Sequence, residues 1–217
     1  MDWKLLTALT PDEQRQVISQ TQRRRFRRNE VVFHEGDPGD SLHLIAKGHV
    51  AVRRSTPLGE IATLVVLGPG DYFGELIFVS PEAGRNATVV ALDAVETLSL
   101  HRDQLQTLRS QYPGIDRFLL DAMAKEIRRL SSLLSDALYV PVDKRVLRRL
   151  LEVANTYGND GPARVVPLTQ EDLASLAGTT RPSANKALRL VEEAGLITMS
   201  RGEIRILDPD GLARRAR

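Results

Sequence analysis

The stretch Pro69-Gly70-Asp71-Tyr72-Phe73-Gly74-Glu75-Leu76, followed after a short loop by Arg85-Asn86-Ala87, decides how this sequence is interpreted. Its glycines allow a tight turn whose backbone N–H groups are little obstructed by side chains. The glutamate can accept hydrogen bonds from a ribose hydroxyl group, and the arginine can bind a phosphate through two parallel hydrogen bonds. Together these groups predict a nucleotide-binding pocket that does not have to be catalytic.

The residues around this stretch predict a β-domain. From about residue 31 to residue 100, apolar and polar positions alternate in short segments separated by turns, and Gly36, Gly48 and Gly70 fall in those turns. Many short strands at near-regular spacing are typical of a small antiparallel barrel or jelly roll. An arginine-rich run over residues 23–28 precedes the first core strand. We interpret it as a solvent-exposed strand edge rather than as a contact surface for DNA or a membrane.

The turn, the arginine and the glycine spacing resemble the cyclic AMP receptor protein/FNR (CRP/FNR) family of bacterial transcription regulators. The resemblance implies cyclic AMP as the effector, with Glu75 on the ribose 2′-hydroxyl group and Arg85 on the cyclic phosphate. The ligand contacts that it implies are Gly74, Glu75, Leu76, Arg85, Asn86, Ala87, Leu130 and Ser131.

The sequence departs from the family pattern at positions near the expected ligand. Asn86 stands where the family usually has Ser or Thr, Ile77 where it has a small residue, and Leu130 where it has Thr. Two alternatives therefore stay open: a regulator that responds to another nucleotide, and one that is active without a ligand.

Residues 114–139 predict one long helix. Apolar residues recur there every three or four positions, at Ile115, Leu119, Met123, Ile127, Leu130, Leu134 and Leu138. A narrow apolar seam on a helix of this length is more typical of a dimer contact than of a monomeric surface helix, although part of it should pack on the chain's own β-domain. In the resembled family two such helices pair, so the resemblance implies a homodimer.

Residues 168–207 predict a winged helix-turn-helix. Thr169 is placed to cap a first helix that Gly178 ends, and Thr179-Thr180 to cap a second helix, Arg181 to Ala194, that Gly195 ends. Two short β-segments on either side of residues 200–202 predict a two-stranded wing. Two helices joined by a short glycine-containing turn are typical of DNA-binding proteins, and this order resembles the same family.

The second helix is expected to enter the DNA major groove. Arg181 and Lys186 would then donate to guanine, and Ser183 and Asn185 would reach bases or phosphates. Candidates for phosphate contacts are Thr169, Gln170, Thr180 and Arg201. Pro182 stands where the family usually has a glutamate that reads cytosine, so we predict a half-site that differs from the family's commonest one or is looser at that base pair.

These observations predict an α+β chain in three parts. A cyclic-nucleotide-binding β-roll is expected over residues 1–113, a dimerisation helix over 114–139 and the winged helix-turn-helix domain over 140–217, with Pro141 at the hinge. The resemblance also implies a palindromic operator of double-stranded DNA. RNA polymerase is a further expected partner, with the loop at 156–164 as the candidate contact.

Composition excludes several other classes. The 217 residues include no cysteine and carry a net charge of +2, with basic residues clustered in the last third and the tail. No apolar run approaches the ~20 residues of a membrane span, and the N-terminus lacks a signal-peptide pattern, so we expect a cytoplasmic protein without membrane contact. No nucleophile, base and orienting group occur together, so we expect no enzyme activity.

Two alternatives from other classes deserve a test. A regulatory subunit of an enzyme or channel would lack the helix-turn-helix. A cupin-type metal enzyme would use side chains of the β-region, namely His34, Glu35, His43, His49 and His101. Adjacent residues of a strand point to opposite faces, so we interpret the histidines as surface or turn residues and expect no metal.

Overall fold

The structure is a computed structural model that describes residues 3, 6–56, 59–78, 84–112, 114–158 and 164–217. The side chain of Ile77 and residues 159–163 of the predicted polymerase-contact loop lie outside the described part. The chain divides into two compact units, residues 1–54 with 67–130 and residues 55–66 with 131–217. The predicted division at residues 113 and 139 stays a prediction.

The first unit opens with short helices. A 3-10 helix at Leu6–Ala8 is followed by α1 at Pro11–Ser19. A capping box begins helix α1, because the Thr10 hydroxyl accepts from the Glu13 N–H and the Glu13 carboxylate accepts from the Thr10 N–H.

Two four-stranded sheets make up the β-roll, and the predicted α+β fold class is confirmed. The strands are β1 Gln22–Phe26, β2 Val31–Phe33, β3 Ser41–Lys47, β4 Val50–Ser55, β5 Ile61–Leu67, β6 Tyr72–Phe73, β7 Thr88–Ala91 and β8 Val95–His101. Their orders are β1-β8-β3-β6 and β2-β7-β4-β5. The arginine-rich β1 is an exposed edge strand, and its Arg23 and Arg25 form ion pairs with Glu96 of β8.

Helix α2, Arg102–Gln111, and the long helix α3, Gly114–Tyr139, complete this part of the chain. The predicted apolar seam of α3 divides into two halves. Near its start, Ile115 and Leu119 are buried in a core that also holds leucines of β3, β8 and α2. Further along, four seam residues have exposed fractions of 50–64%, namely Ile127, Leu130, Leu134 and Leu138. The chain itself therefore covers only the first half of the seam.

The second unit contains the predicted helix-turn-helix. After α4, Val142–Tyr157, come β9 Arg164–Val166, α5 Gln170–Leu176, α6 Arg181–Glu193, β10 Ile197–Ser200, β11 Glu203–Ile206 and α7 Pro209–Arg215. The predicted two-stranded wing is present as the antiparallel pair β10 and β11, and a third strand that was not predicted, β9, pairs with β11 to give the order β10-β11-β9. A strand of three residues is too short to show a period. No helix in the described residues is long and apolar enough to cross a membrane.

Candidate functional site

Arg85 lies at the centre of the predicted ligand site. Its side chain is only 3% exposed, and its guanidinium carbon lies 4.0 Å from the centre of the Phe33 ring. Nη1 donates to the Gly74 carbonyl at 3.4 Å, and Nη2 donates to Ser41 Oγ at 3.3 Å and Asp40 Oδ1 at 3.5 Å. Nε is buried without a hydrogen-bond partner among the described residues. Since charge-assisted hydrogen bonds are usually ~2.7–2.9 Å long, this buried cation is poorly satisfied.

Burial and neighbouring charges shift the pKa values of Arg85 and Asp40. Burial lowers the pKa of Arg85, and the carboxylates of Asp40 and Glu75 act in the opposite direction. The pKa of Asp40 is lowered, first by the hydrogen bond from Ser41 and also by the positive charge of Arg85, although partial burial opposes this. Asp40 is thus held as an anion beside the guanidinium.

Gly74 permits the approach of Arg85 to the turn. Its φ is +84°, in the left-handed region that favours glycine. A Cβ atom at this position would lie 2.6 Å from Arg85 Nη1 and 2.9 Å from the Ser41 carbonyl oxygen. The turn therefore requires glycine both for its backbone conformation and for the space that the guanidinium occupies.

Glu75 begins a 3-10 helix, Glu75–Phe78, and is half-buried. Its pKa is raised, mainly by burial and further by the carboxylate of Glu126 on α3, while Arg85 and Arg129 oppose the shift. Arg129 donates to both oxygens of Glu126, at 2.8 and 2.7 Å. Burial and the charges of Glu75 and Glu126 also raise the pKa of Tyr72 to about 12. The turn and α3 therefore share one charged environment.

The predicted ligand residues differ in where the structure places them. Gly74, Glu75 and Arg85 come together, as described above. Leu76 is half-buried, Ala87 is buried, and Asn86 is exposed. Leu130 and Ser131 are both exposed on α3, where the boundary between the two compact units falls between them. The ligand roles of all eight residues stay predictions.

Several residues around Arg85 were missed by the sequence analysis. Phe33, Asp40 and Ser41 contact it, and His43 is bonded to Ser41. The interpretation of every histidine as a surface or turn residue is wrong for His43, which is 6% exposed. One signal was available, because His43 lies two residues before buried Ile45 on β3 and so shares its face. In the described part of the chain, no three His, Asp or Glu residues are grouped so that they could hold a metal ion.

Helix α6 leaves three of the predicted DNA-contacting residues exposed. Ala184, Ala187, Leu188 and Val191 are buried, whereas Arg181, Ser183 and Lys186 are exposed, as are Thr169, Thr180 and Arg201 elsewhere in the unit. The backbone of Thr180 begins α6 as predicted. Its hydroxyl makes no capping bond, however, and lies 3.1 Å from Ser183 Oγ.

Two of the predicted DNA-contacting residues are half-buried. The Gln170 amide donates to Met199 Sδ at 3.5 Å, and Asn185 Oδ1 is buried without a partner in the described residues. Thr169 is exposed, but its hydroxyl donates to the Asp172 carboxylate that completes the cap of α5. DNA contacts from these three side chains stay predictions.

Arg145 on α4 joins the end of α3 to the turn of the helix-turn-helix. Nη1 donates to the carbonyls of Ala137 and Val140 at 3.2 and 3.3 Å. Nε donates to the Ala177 carbonyl at 3.2 Å, and Nη2 to the Gly178 carbonyl at 3.3 Å. Carbonyls at helix C-termini lack partners within the helix, and a cation there also complements the helix dipole. One side chain therefore caps the ends of α3 and α5 together.

A buried arginine behind a glycine turn, followed along the chain by a winged helix-turn-helix, is typical of DNA-binding regulators that carry a nucleotide-binding domain. Comparisons with known proteins agree with this class. The family described as "Cyclic nucleotide-binding domain" matches residues 23–112, and "Crp-like helix-turn-helix domain" matches residues 144–215.

Relatives match over nearly the whole chain. The CRP-like cAMP-activated global transcriptional regulator of Mycobacterium tuberculosis is 37% identical over 195 residues, 88% of this chain and 87% of the relative. The cyclic AMP receptor protein of Thermus thermophilus is 29% identical over 202 residues, 93% of this chain and 91% of the relative. The crystal structure of the Thermus thermophilus catabolite activator protein is similar with a TM-score of 0.57 at 29% identity, covering 98% of this chain and 97% of that one.

The chain belongs to the CRP/FNR family of transcription regulators. Its matched domains are those of DNA-binding regulators with a cyclic-nucleotide-binding domain, not those of enzymes.

Proposed function

We propose that this chain is a homodimeric, sequence-specific transcription regulator controlled by cyclic AMP bound to its β-roll. The observation that carries the effector proposal is the state of Arg85, a buried guanidinium with three long hydrogen bonds and an unpartnered Nε. A phosphate would supply short, charge-assisted hydrogen bonds to this group. The half-buried Glu75 next to the turn would accept from a ribose hydroxyl.

The names of the relatives support cyclic AMP as the first effector to test. Two relatives, one of them 37% identical, are described as cAMP-activated or as a cyclic AMP receptor. Among the residues predicted to contact the ligand, Gly74, Glu75 and Arg85 lie together as the proposal requires.

A specific observation favours the second candidate, the same regulator with another effector or none. Asp40 already places a carboxylate beside Arg85, and Glu126 raises the pKa of Glu75 from α3. A ligand phosphate would have to compete with Asp40 for the guanidinium. Asn86, which follows Arg85, is exposed.

The exposed half of the α3 seam supports the homodimer. Ile127, Leu130, Leu134 and Leu138 leave large apolar side chains uncovered in a single chain, and apolar residues at helical spacing are buried favourably by a second helix of the same kind. In such a dimer, Leu130 and Ser131 would contact the adenine across the interface, as the resemblance implies.

The DNA proposal places α6 in the major groove, with Arg181 and Lys186 donating to guanine. A homodimer would present two such helices to a palindromic operator. RNA polymerase as a partner follows from the family resemblance, and the cytoplasm is the expected compartment for such a regulator.

Calorimetric titration of the purified protein with cyclic AMP tests the effector. We expect saturable micromolar binding to the wild type and a loss of binding in Arg85→Ala. Cyclic GMP and cyclic di-GMP are the comparison ligands, and Arg28→Ala is the matched control, since Arg28 is an exposed arginine of the same unit. Absence of binding by the wild type would contradict the cyclic AMP proposal, and binding of another nucleotide would favour the second candidate.

A further inference from the structure

We propose that His43 is a positioning residue that fixes the Arg85 guanidinium through Ser41. The inference rests on the proposed function, because it assigns the residue that holds the anion-binding group in place. Arg85 itself reaches Ser41 Oγ at 3.3 Å, and His43 Nε2 lies 3.2 Å from the same oxygen. Ser41 and His43 lie two residues apart on β3 and share one face, whereas Arg85 comes from the segment before β7.

Aromatic rings hold the imidazole of His43 in one orientation. It stacks on Phe73 with 5.0 Å between the ring centroids and only 3° between the ring planes. Phe26 and Phe33 each lie 6.3 Å away, and the Phe33 ring also lies under the Arg85 guanidinium. The neutral His43 ring and the Arg85 guanidinium therefore both pack on aromatic rings, with Phe33 common to both, and this packing fixes the planes of both groups.

The hydrogen bonds assign the protons along this cluster. Ser41 Oγ lies 2.7 Å from Asp40 Oδ1, which can only accept, so the single hydroxyl proton of Ser41 is donated there. Ser41 Oγ then accepts from Arg85, and His43 Nε2 must carry a proton to bond to it as well. Burial lowers the pKa of His43 to about 4, so near neutral pH the ring carries only the proton at Nε2. His43 Nδ1, 3.1 Å from the hydroxyl of fully buried Thr97, then accepts from that hydroxyl. The imidazole is thus neutral and protonated at Nε2.

The direction of these bonds gives His43 its role. Thr97 donates to His43, His43 donates to Ser41, and Ser41 donates to Asp40. Because His43 donates to one lone pair of Ser41 Oγ, the Ser41 hydroxyl proton is directed toward Asp40. The second lone pair of Ser41 Oγ then faces Arg85. The charged groups that act on His43 are Arg85, Asp40 and Arg24. Burial, and then Arg85, lower the pKa of His43 to about 4, which keeps the ring neutral near neutral pH.

Two substitutions separate the hydrogen bond from the packing. His43→Phe keeps an aromatic ring for the stack but removes both nitrogens. His43→Gln keeps an N–H donor that reaches about as far as Nε2. With cyclic AMP as the probe, we expect His43→Phe to weaken binding about fivefold to tenfold, the size of one lost hydrogen bond, and His43→Gln to recover most of that loss.

A double-mutant comparison tests whether Ser41 transmits the effect. In the Ser41→Ala background, His43→Phe should change the cyclic AMP affinity by less than about twofold, because the acceptor of its hydrogen bond is absent. An equal weakening in both backgrounds would overturn the proposal. Circular dichroism and thermal melting of each variant establish that the β-roll is folded.

A second readout needs no effector. In the wild type, the Nε–H proton of Arg85 should exchange slowly with solvent in NMR spectra, because the guanidinium is buried and held. We expect faster exchange in folded His43→Phe, by about tenfold, and slow exchange in His43→Gln. Unchanged protection in His43→Phe would overturn the positioning role. If the wild type binds no nucleotide, the proposed effector fails, and this exchange measurement still decides the role of His43.

Discussion

Arg85 in the β-roll and Arg181 at the start of α6 are both assigned to phosphate-bearing partners, but their environments are opposite. Arg85 is buried, and its hydrogen bonds are long. Arg181 is exposed at the N-terminal end of its helix. A buried cation depends on a small set of fixed neighbours, so single substitutions around it should have large effects. An exposed cation on a helix acts as one of several, and its contribution should depend on salt.

Gly74→Ala should have the largest effect on the buried side of this comparison. A Cβ would strain the backbone at φ +84° and meet Arg85 Nη1 at 2.6 Å. Left-handed strain and steric overlap together should lower the free energy of unfolding by about 3 to 4 kcal/mol. Chemical denaturation measures this. The matched control is Gly36→Ala, where φ is +88° but no atom lies within 4 Å of the added Cβ, and a loss of only about 1 kcal/mol is expected.

Equal losses in the two glycine variants would show that backbone strain alone accounts for the requirement at Gly74. The close approach of Arg85 to Gly74 would then contribute nothing to the loss of stability.

Lowering the pH should destabilise the buried site by a similar amount. His43 has an ordinary pKa of 6.5 when unfolded and of about 4 when folded. Between these values the unfolded chain takes up a proton that the folded chain resists. The free energy of unfolding therefore keeps its full contribution from neutral His43 above pH 6.5, and this part is lost as the pH falls toward 4. At about 1.4 kcal/mol per pKa unit, this amounts to about 3 kcal/mol.

The comparison of wild type with His43→Phe isolates this contribution, since other titrating groups remain in both. The free energy of unfolding should fall less steeply between pH 6.5 and 4 in the variant. Parallel pH profiles would mean that His43 does not titrate in a buried, neutral state.

Arg181→Ala should weaken DNA binding without changing the β-roll. Loss of a bidentate contact to guanine costs about 2 kcal/mol, or about 30-fold in affinity. Fluorescence anisotropy with a duplex obtained by in vitro selection measures this, and Arg28→Ala should leave the affinity unchanged. The affinity of the wild type for DNA should fall steeply with salt, whereas effector binding at the buried Arg85 should depend on salt only weakly. Similar salt dependences would remove the contrast between the two arginines.

Arg145→Ala should have the smallest effect, because it acts on the position of the reading helices rather than on DNA itself. Removing its bonds to the carbonyls at the ends of α3 and α5 should reduce DNA affinity about fivefold, equivalent to about 1 kcal/mol. Arg145→Lys keeps the charge but not the fork that reaches both helix ends, so it should behave like alanine. If Arg145→Lys bound DNA as tightly as the wild type, the effect of Arg145 would come from its charge alone.

The two regions also differ in how far the sequence could predict them. The helices α5 and α6 end near Gly178 and Gly195 as predicted, because caps and helical periods are local features. The cluster at Arg85 is assembled from residues such as Phe33, Ser41 and Thr97, which are separated by long stretches of chain. Only the pairing of β3 with β8 brings His43 close to Thr97, and strand pairing is not encoded in any local pattern.

Short elements and tertiary packing limited the prediction in other places. The strand β9 has three residues and α7 has seven, so neither shows a clear period. The seam of α3 was visible, but its division into a buried and an exposed half depends on which strands and helices lie beside it. Such a division follows from tertiary packing.

The central claim is that an effector at Arg85 controls DNA binding, and one measurement tests it most directly. The affinity of the protein for a selected palindromic duplex would be measured with and without cyclic AMP, in the wild type and in Arg85→Ala. We predict that cyclic AMP tightens DNA binding of the wild type at least about fivefold, the lower range of allosteric coupling, and leaves Arg85→Ala unchanged. Equal DNA affinities of the wild type with and without cyclic AMP, or an equal response in Arg85→Ala, would contradict the account.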